Sequence, residues 1–211
     1  MKKSVLLIHG LFTNELVMKY LEKRFIENGY VVYQFNYRSV KYSEKTLKDF
    51  DRFLVSVKEN VNIIAHSLGG LLVRNYIQSY SKESSKIESF VTIGTPHNKS
   101  ECAQSVNNTM FKGFLGTACE SGLTKDLPPW TSSIPLGCIA GSHESIFGAN
   151  LFLFNKRKLG ENDGTVFVKE AILNNCTDNI ILPGSHTGLL FKPQVFEQCL
   201  YFIENKKFKT I

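Results

Sequence analysis

Six short apolar runs, interleaved with segments of helical spacing, constrain this chain more than any other feature. The runs are SVLLI (4–8), YVVYQF (30–35), VNIIA (61–65), FVTIG (90–94), IPLGCIA (134–140) and NIILP (179–183). Nearly continuous apolar runs of this length suit strands buried on both faces. Between them, Val17, Leu21 and Phe25 share one helical face. Leu47, Phe50, Leu54 and Val57 share another behind a Ser43 cap, and Phe196, Leu200 and Ile203 a third, with Pro193 suited to the first turn. The alternation predicts an α/β fold with a parallel sheet, helices on its faces and right-handed crossovers. Ligands of such sheets bind beyond the C-terminal ends of the strands.

The 211 residues fit one domain, 1–211, large enough for a sizeable core. Two intervals break the rhythm: 97–133, read as an insertion and possible lid, and 141–177, a long loop region. The apolar part of the N-terminus, Val5–Ile8, falls short of the about 7–15 residues of a signal-peptide core, so a cytoplasmic protein is expected. No apolar run approaches the roughly 20 residues that span a bilayer. The five cysteines (Cys102, Cys119, Cys138, Cys176, Cys199) form no CxxC pair and are expected to be free thiols, a Cys102–Cys119 bridge being the alternative. No zinc-ligand spacing and no nucleic-acid motif is present, and neither metal nor cofactor is expected. The net charge of +6 is spread apart from NKRK (155–158) and NKKFK (205–209), which read as solvated surface or as transient contact with an anionic membrane surface.

Ser67 sits where the third run ends and a helical pattern (Leu68, Leu71, Leu72, Tyr76) begins, in VNIIAHSLGG. A nucleophile raised on a sharp strand-to-helix turn needs small neighbours, and Ala65 and Gly69 flank His66–Leu68 at the required spacing. An ordinary helix cap would use a serine at the same place. The two readings separate on whether the chain also supplies a base, an acid and an oxyanion site.

Of the five histidines, His97, His143 and His186 follow Ser67, and His186 stands just beyond the last strand in LPGSHTGLL. The acids on offer are Asp126, Glu144, Glu161, Asp163 and Asp178. Asp163 lies in a tight turn, GENDGTVFV, where an aspartate can also be a mere turn former; Glu144 and Asp178 remain rivals. Backbone N–H groups for a developing oxyanion would come from Leu68 and from Leu11 or Phe12, in the HGLF loop that Gly10 allows to turn sharply.

LLIHGL, AHSLGG, TIGTPH, NDGTV and HTGLL occur here in the order seen in the α/β-hydrolase superfamily, and over residues 4–203 the chain resembles its small lipases and esterases, including bacterial triacylglycerol lipases and the group related to the inositol deacylases. The resemblance implies a minimal α/β-hydrolase fold of about six mostly parallel strands, lacking the first two antiparallel strands of larger members. It implies Ser67 as nucleophile, Asp163 as acid and His186 as base, with oxyanion N–H groups from Leu11 or Phe12 and from Leu68. Ala65 departs from the usual first glycine of the elbow, and 97–133 matches no known lid.

The expected activity is hydrolysis of carboxyl esters through an acyl-enzyme, on a small acyl ester or lipid. Acyl transfer, thioester or amide cleavage would use the same residues, and a non-catalytic binder of an apolar ligand is the alternative of another class. Met110, Phe111, Phe114, Leu115, Leu123, Leu127 and Trp130, then Ile146, Phe147, Leu151, Phe152, Leu153 and Phe154, would line an acyl pocket or close the core.

Overall fold

The computed structural model describes residues 3–80, 83–107, 112–142 and 160–210; of residues 83, 112, 114, 120 and 121 the backbone alone is described. Within them the six runs become strands β1 (Ser4–Ile8), β2 (Val31–Phe35), β3 (Val61–His66), β4 (Ile87–Ile93), β5 (Leu136–Ser142) and β6 (Asp178–Pro183). They form one sheet in the order β2-β1-β3-β4-β5-β6, each neighbouring pair parallel. Helices α1 (Lys19–Glu27), α2 (Glu44–Ser56), α3 (Leu68–Ser79), α4 (Glu101–Asn107), α5 (Val168–Ala171) and α6 (Pro193–Asn205) accompany it. No helix among the described residues is long and apolar enough to cross a membrane.

The pleat sorts each strand's side chains into two cores. Val5 and Leu7 pack with Leu21, Phe25, Phe196 and Phe202 of α1 and α6. Leu6 and Ile8 pack with Phe50, Leu54, Leu71 and Leu72 of α2 and α3. Burial on both faces holds for β1, β3, β4 and β5, whereas β2 and β6 are sheet edges and only half covered; Ile181 on β6 is 41% exposed. Two strand starts, those of β4 and β5, differ from the apolar runs by more than one residue. β4 begins at Ile87, because the buried Ser89 hydroxyl donates to Asn62 Oδ1 on β3 (2.6 Å) and a polar residue is thereby accommodated in the ladder. β5 begins after Pro135, which has no N–H to offer, although its carbonyl still accepts from Phe90 N–H (2.9 Å).

The chain runs from β1 outward to β2, then returns to the other side of β1 as β3. That reversal opens a crevice above the ends of β1 and β3, where open α/β sheets bind ligands. Ile8 pairs in register with both Phe35 and Ala65. The segments after β1, β2 and β3 therefore emerge level with one another, which brings residues 9–12, 36–41 and 66–69 together.

Candidate active site

Between the last residue of β3 and the first of α3 there is one residue, Ser67, with φ +52° and ψ −123°. A non-glycine residue there costs on the order of 1–3 kcal/mol and persists only where its surroundings hold it. They do: Ser67 N–H donates to Ile93 O (2.9 Å), and Ser67 O accepts from Gly70 N–H (3.0 Å) and from Thr95 Oγ1 (2.9 Å). Side chains larger than hydrogen are excluded around it. A Cβ on Gly69 would come within 2.5 Å of the His9 carbonyl, one on Gly10 within 2.9 Å of Ser67 Cβ, and one on Gly70 would collide with Thr95. Ala65 is fully buried in the ladder below. Ser67 Oγ caps no helix N–H. It lies 2.9 Å from His186 Nε2 instead.

His186 Nδ1–H donates to Asp163 Oδ2 (2.7 Å), and His186 N–H donates to Asp163 O (2.8 Å). Asp163 is 1% exposed, and its other oxygen, Oδ1, accepts from Thr165 N–H (2.9 Å) and Val166 N–H (2.7 Å). The turn-forming aspartate and the partner of the histidine are thus one residue, with one carboxylate oxygen for each task. Gly164, at φ +96°, completes the turn by donating its N–H to Asn162 Oδ1 (2.9 Å). Sequence reasoning passed over two glycines that make room for this pair. A Cβ on Gly94, just past β4, would stand 3.1 Å from both Asp163 Oδ2 and His186 Nδ1, and one on Gly141 of β5 would stand 2.6 Å from Asp163 Cβ. Their signal is a glycine at the C-terminal end of a strand.

Two of the other histidines, His66 and His97, are kept neutral by burial. The His66 ring packs on His186 (centroids 4.7 Å). A carbonyl can only accept, so the 3.2 Å contact of His66 Nε2 with His186 O fixes the proton on Nε2. Burial, together with the neighbouring His186, pulls the His66 pKa well below its ordinary value. His97 is buried beside Thr92 and the Arg74 guanidinium, and burial first, then Arg74, brings its pKa down to about 3. Among the rival acids, Asp178 accepts from Phe208 N–H and Asn179 N–H at the opposite end of β6. Asp126 pairs with Lys99 on the surface. His143 and Glu144 lie outside the described residues.

The loop after β1 approaches the same point. Phe12 has φ +57°, and its N–H donates to Ser39 Oγ (3.2 Å). Leu68 N–H belongs to the first turn of α3, where no intrahelical acceptor exists. Ser67 and His186 line a cleft of about 490 Å³ whose walls are almost wholly apolar. Leu11, Ala103, Val106, Leu115, Leu123 and Val166 are among the residues that line it. Of the expected pocket residues, Leu115 and Leu123 line this cleft. Leu127 and Trp130 pack on the core instead, Trp130 against Phe90. Met110, Phe111, Ile146, Phe147, Leu151, Phe152, Leu153 and Phe154 lie outside the described residues, as does the side chain of Phe114.

Cys102 also lines the cleft, and burial pushes its thiol up to about 12, which keeps it a neutral wall residue. All five cysteines are free, Cys102 and Cys119 included. The 205–209 segment is tied down: Phe208 is buried, and Lys209 exchanges backbone bonds with the Gln198 side chain. The 155–158 cluster lies outside the described residues. Among the described residues, no group of three His, Cys, Asp or Glu side chains could hold a metal ion.

Residues 4–129 match the palmitoyl protein thioesterase family, a stretch that includes the Gly10 loop and Ser67 and ends before Asp163 and His186. By sequence, no curated protein matches the chain. In structure the chain is similar to a Bacillus licheniformis lipase in its mature form (TM-score 0.71, 18% identity, covering 96% of this chain and 92% of that one). It is similar also to a soluble variant of monoglyceride lipase from Saccharomyces cerevisiae (TM-score 0.64, 14% identity, 100% and 88%). A metagenomic carboxyl esterase is similar at TM-score 0.63 and 14% identity, over 87% of this chain and 64% of that one. These likenesses establish the α/β-hydrolase fold.

Proposed function

We propose that this chain, which belongs to the palmitoyl protein thioesterase family and is a hydrolase of ester substrates, cleaves apolar acyl esters and thioesters through an acyl-enzyme on Ser67. The observation that carries the reading is the unbroken path Ser67 Oγ–His186 Nε2–His186 Nδ1–Asp163 Oδ2, at 2.9 and 2.7 Å, opening onto an apolar cleft. His186 takes the serine proton as Oγ attacks the acyl carbon, and returns it to the leaving alcohol or thiol. Asp163 holds the imidazole with its proton on Nδ1 and stabilises the imidazolium that forms. Water, deprotonated by the same His186, then releases the acid. His66, kept neutral, adds no second positive charge beside that imidazolium.

The oxyanion of each tetrahedral intermediate would lie between Leu68 N–H and a donor from the loop after β1. Leu11 N–H is assigned that role over Phe12, whose N–H is already engaged by Ser39. The acyl chain would lie along Ala103, Val106, Leu115 and Leu123, which makes 97–133 the cover of the cleft within a single domain 1–211. The chemistry needs neither metal nor organic cofactor.

Turnover of p-nitrophenyl esters from acetate to palmitate, and of a matching acyl thioester, by wild type and Ser67→Ala tests the reading. Activity that disappears with the serine, together with stoichiometric fluorophosphonate labelling of Ser67, is expected. A folded wild type that neither turns over nor labels would make the chain a binder of apolar ligands instead.

A further inference from the structure

Phe12 stands in the left-handed region, yet its ring is 61% exposed, so packing does not hold it there. What holds it is Ser39, 4% exposed, the first residue of a 3₁₀ turn (Ser39–Lys41) beyond β2, whose Oγ accepts from Phe12 N–H at 3.2 Å. Other bonds fasten the near side of the loop. Thr13 Oγ1 donates to Gly10 O (3.0 Å), Tyr37 OH donates to His9 O (3.2 Å), and His9 Nε2 sits 3.0 Å from Asn36 Oδ1 and 3.3 Å from Tyr37 N. Those fix residues 9 and 10. The Ser39 bond fixes residue 12, so Leu11 is clamped from both sides.

The same turn touches the cover. Gly116, at φ +55°, lies so close to the Val40 carbonyl that any Cβ there would collide with it. Thr117 Oγ1 donates to that carbonyl at 3.5 Å. The residue beside this seat, Leu115, lines the cleft. Two consecutive residues, Ser39 and Val40, therefore meet the loop that carries Leu11 N–H on one side and the segment next to the cleft wall on the other.

We infer that Ser39 is a positioning residue for the oxyanion site, and that the Ser39–Lys41 turn transmits the seating of an acyl chain against Leu115 to the Leu11 N–H. The inference rests on the hydrolase reading above. It implies that a longer acyl group raises kcat and does not act on KM alone, because filling the cleft presses the cover onto Val40 and steadies the donor.

The test uses wild type, Ser39→Ala and Ser39→Thr, with active sites titrated by a fluorophosphonate so that rates are counted per labelled Ser67. In Ser39→Ala, kcat on p-nitrophenyl octanoate should fall about tenfold, a part of the roughly 10²–10³ that loss of a whole donor costs, with KM within about twofold. Affinity for an octyl trifluoromethyl ketone, whose hemiketal oxygen occupies the oxyanion position, should weaken in proportion. The kcat advantage of octanoate over acetate should shrink, and Ser39→Thr, which keeps the hydroxyl, should restore all three. The inference is overturned if kcat per labelled site is unchanged in Ser39→Ala, if ketone affinity does not follow kcat, or if the octanoate advantage survives intact. Ser39→Cys replaces Ser39→Ala should the latter not fold. A wild type that does not label strikes at the hydrolase reading. Hydrogen exchange of the Phe12 amide in the wild type then decides the clamp on its own: protection supports it, exchange at the free-peptide rate refutes it.

Discussion

Around Ser67 both backbone polar groups have partners, and Gly10, Gly69 and Gly70 sit where a Cβ would collide. Across the cleft, α4 is anchored at its start, Glu101 N–H donating to Glu170 Oε1 (2.7 Å) and Ser100 N–H to Leu123 O (2.8 Å), but it meets the serine only through apolar side chains such as Ala103 and Val106. One wall is specified atom by atom; the other is specified by volume and hydrophobicity. Directional bonds and close backbone approach tolerate no substitution, whereas apolar packing accepts exchanges of similar size. Changes at the first wall should therefore abolish turnover, and changes at the second should redirect it.

The largest effects belong to the serine wall. Ser67→Ala should lower kcat by about 10⁶-fold. Asp163→Asn should lower it about 10⁴-fold while costing little stability, because the amide oxygen can still accept from Thr165 and Val166 N–H and the amide nitrogen faces His186 Nδ1, forcing the wrong tautomer. Steady-state kinetics beside thermal melts checks both, and a variant that unfolds as it loses activity would count against the division of labour between the two oxygens. Gly94→Ala comes next. Its Cβ would press on Asp163 Oδ2 and His186 Nδ1 at a backbone of φ +59°, so kcat should fall by about 10² with a stability loss of about 1–2 kcal/mol. A crystal structure of that variant with the histidine undisplaced would contradict the cause given.

The cover wall should respond differently. Leu115→Trp should cut kcat/KM for long esters far more than for acetate, about 0.8 kcal/mol or near fourfold for every CH₂ shut out. A uniform loss along the ester series would show that Leu115 does not face the chain.

An effect on stability alone, and not on turnover, belongs to the anchor of α4. Glu170 is 2% exposed, and burial pushes its carboxyl up from 4.5 to about 7, against two backbone N–H bonds that act the other way. Glu101, paired with Lys169, faces it from α4. Between pH 4.5 and about 7 the folded chain keeps this proton and the unfolded chain releases it. The contribution is complete below 4.5 and fades as pH rises to about 7, on the order of 3 kcal/mol at most. Urea midpoints should fall more steeply over this window in wild type than in Glu170→Gln; parallel profiles would exclude Glu170 as the titrating group.

Much of the fold was legible because an apolar run flanked by helical spacing has few ways to bury itself. β1 matches its run residue for residue, Pro193 opens α6, and the other strands start or end within a few residues of theirs. The misreadings fall where a neighbour in space overrides the local pattern, as Asn62 does for Ser89 at the start of β4. Strands β2 and β6 read like interior strands, since exposure at an edge depends on what lies alongside. At the site, Ser67 and His186 could be proposed from order and context, and Asp163 with the help of the family resemblance. Gly94, Gly141 and Ser39 could not, since each acts on a residue far away in the chain that comes near only when the sheet assembles.

The sequence by itself determined the parallel sheet and its helical cover and put forward Ser67, Asp163 and His186 as the proposed catalytic set, because hydrophobic period and motif order can be read along the chain. The tertiary structure decided which oxygen of Asp163 serves the histidine, that Phe12 N–H is spent on Ser39, and which of the described apolar residues of 97–133 line the cleft and which pack on the core. Those outcomes depend on distances between segments that meet only when the sheet assembles, and a hydrogen bond or a collision exists only at such a distance.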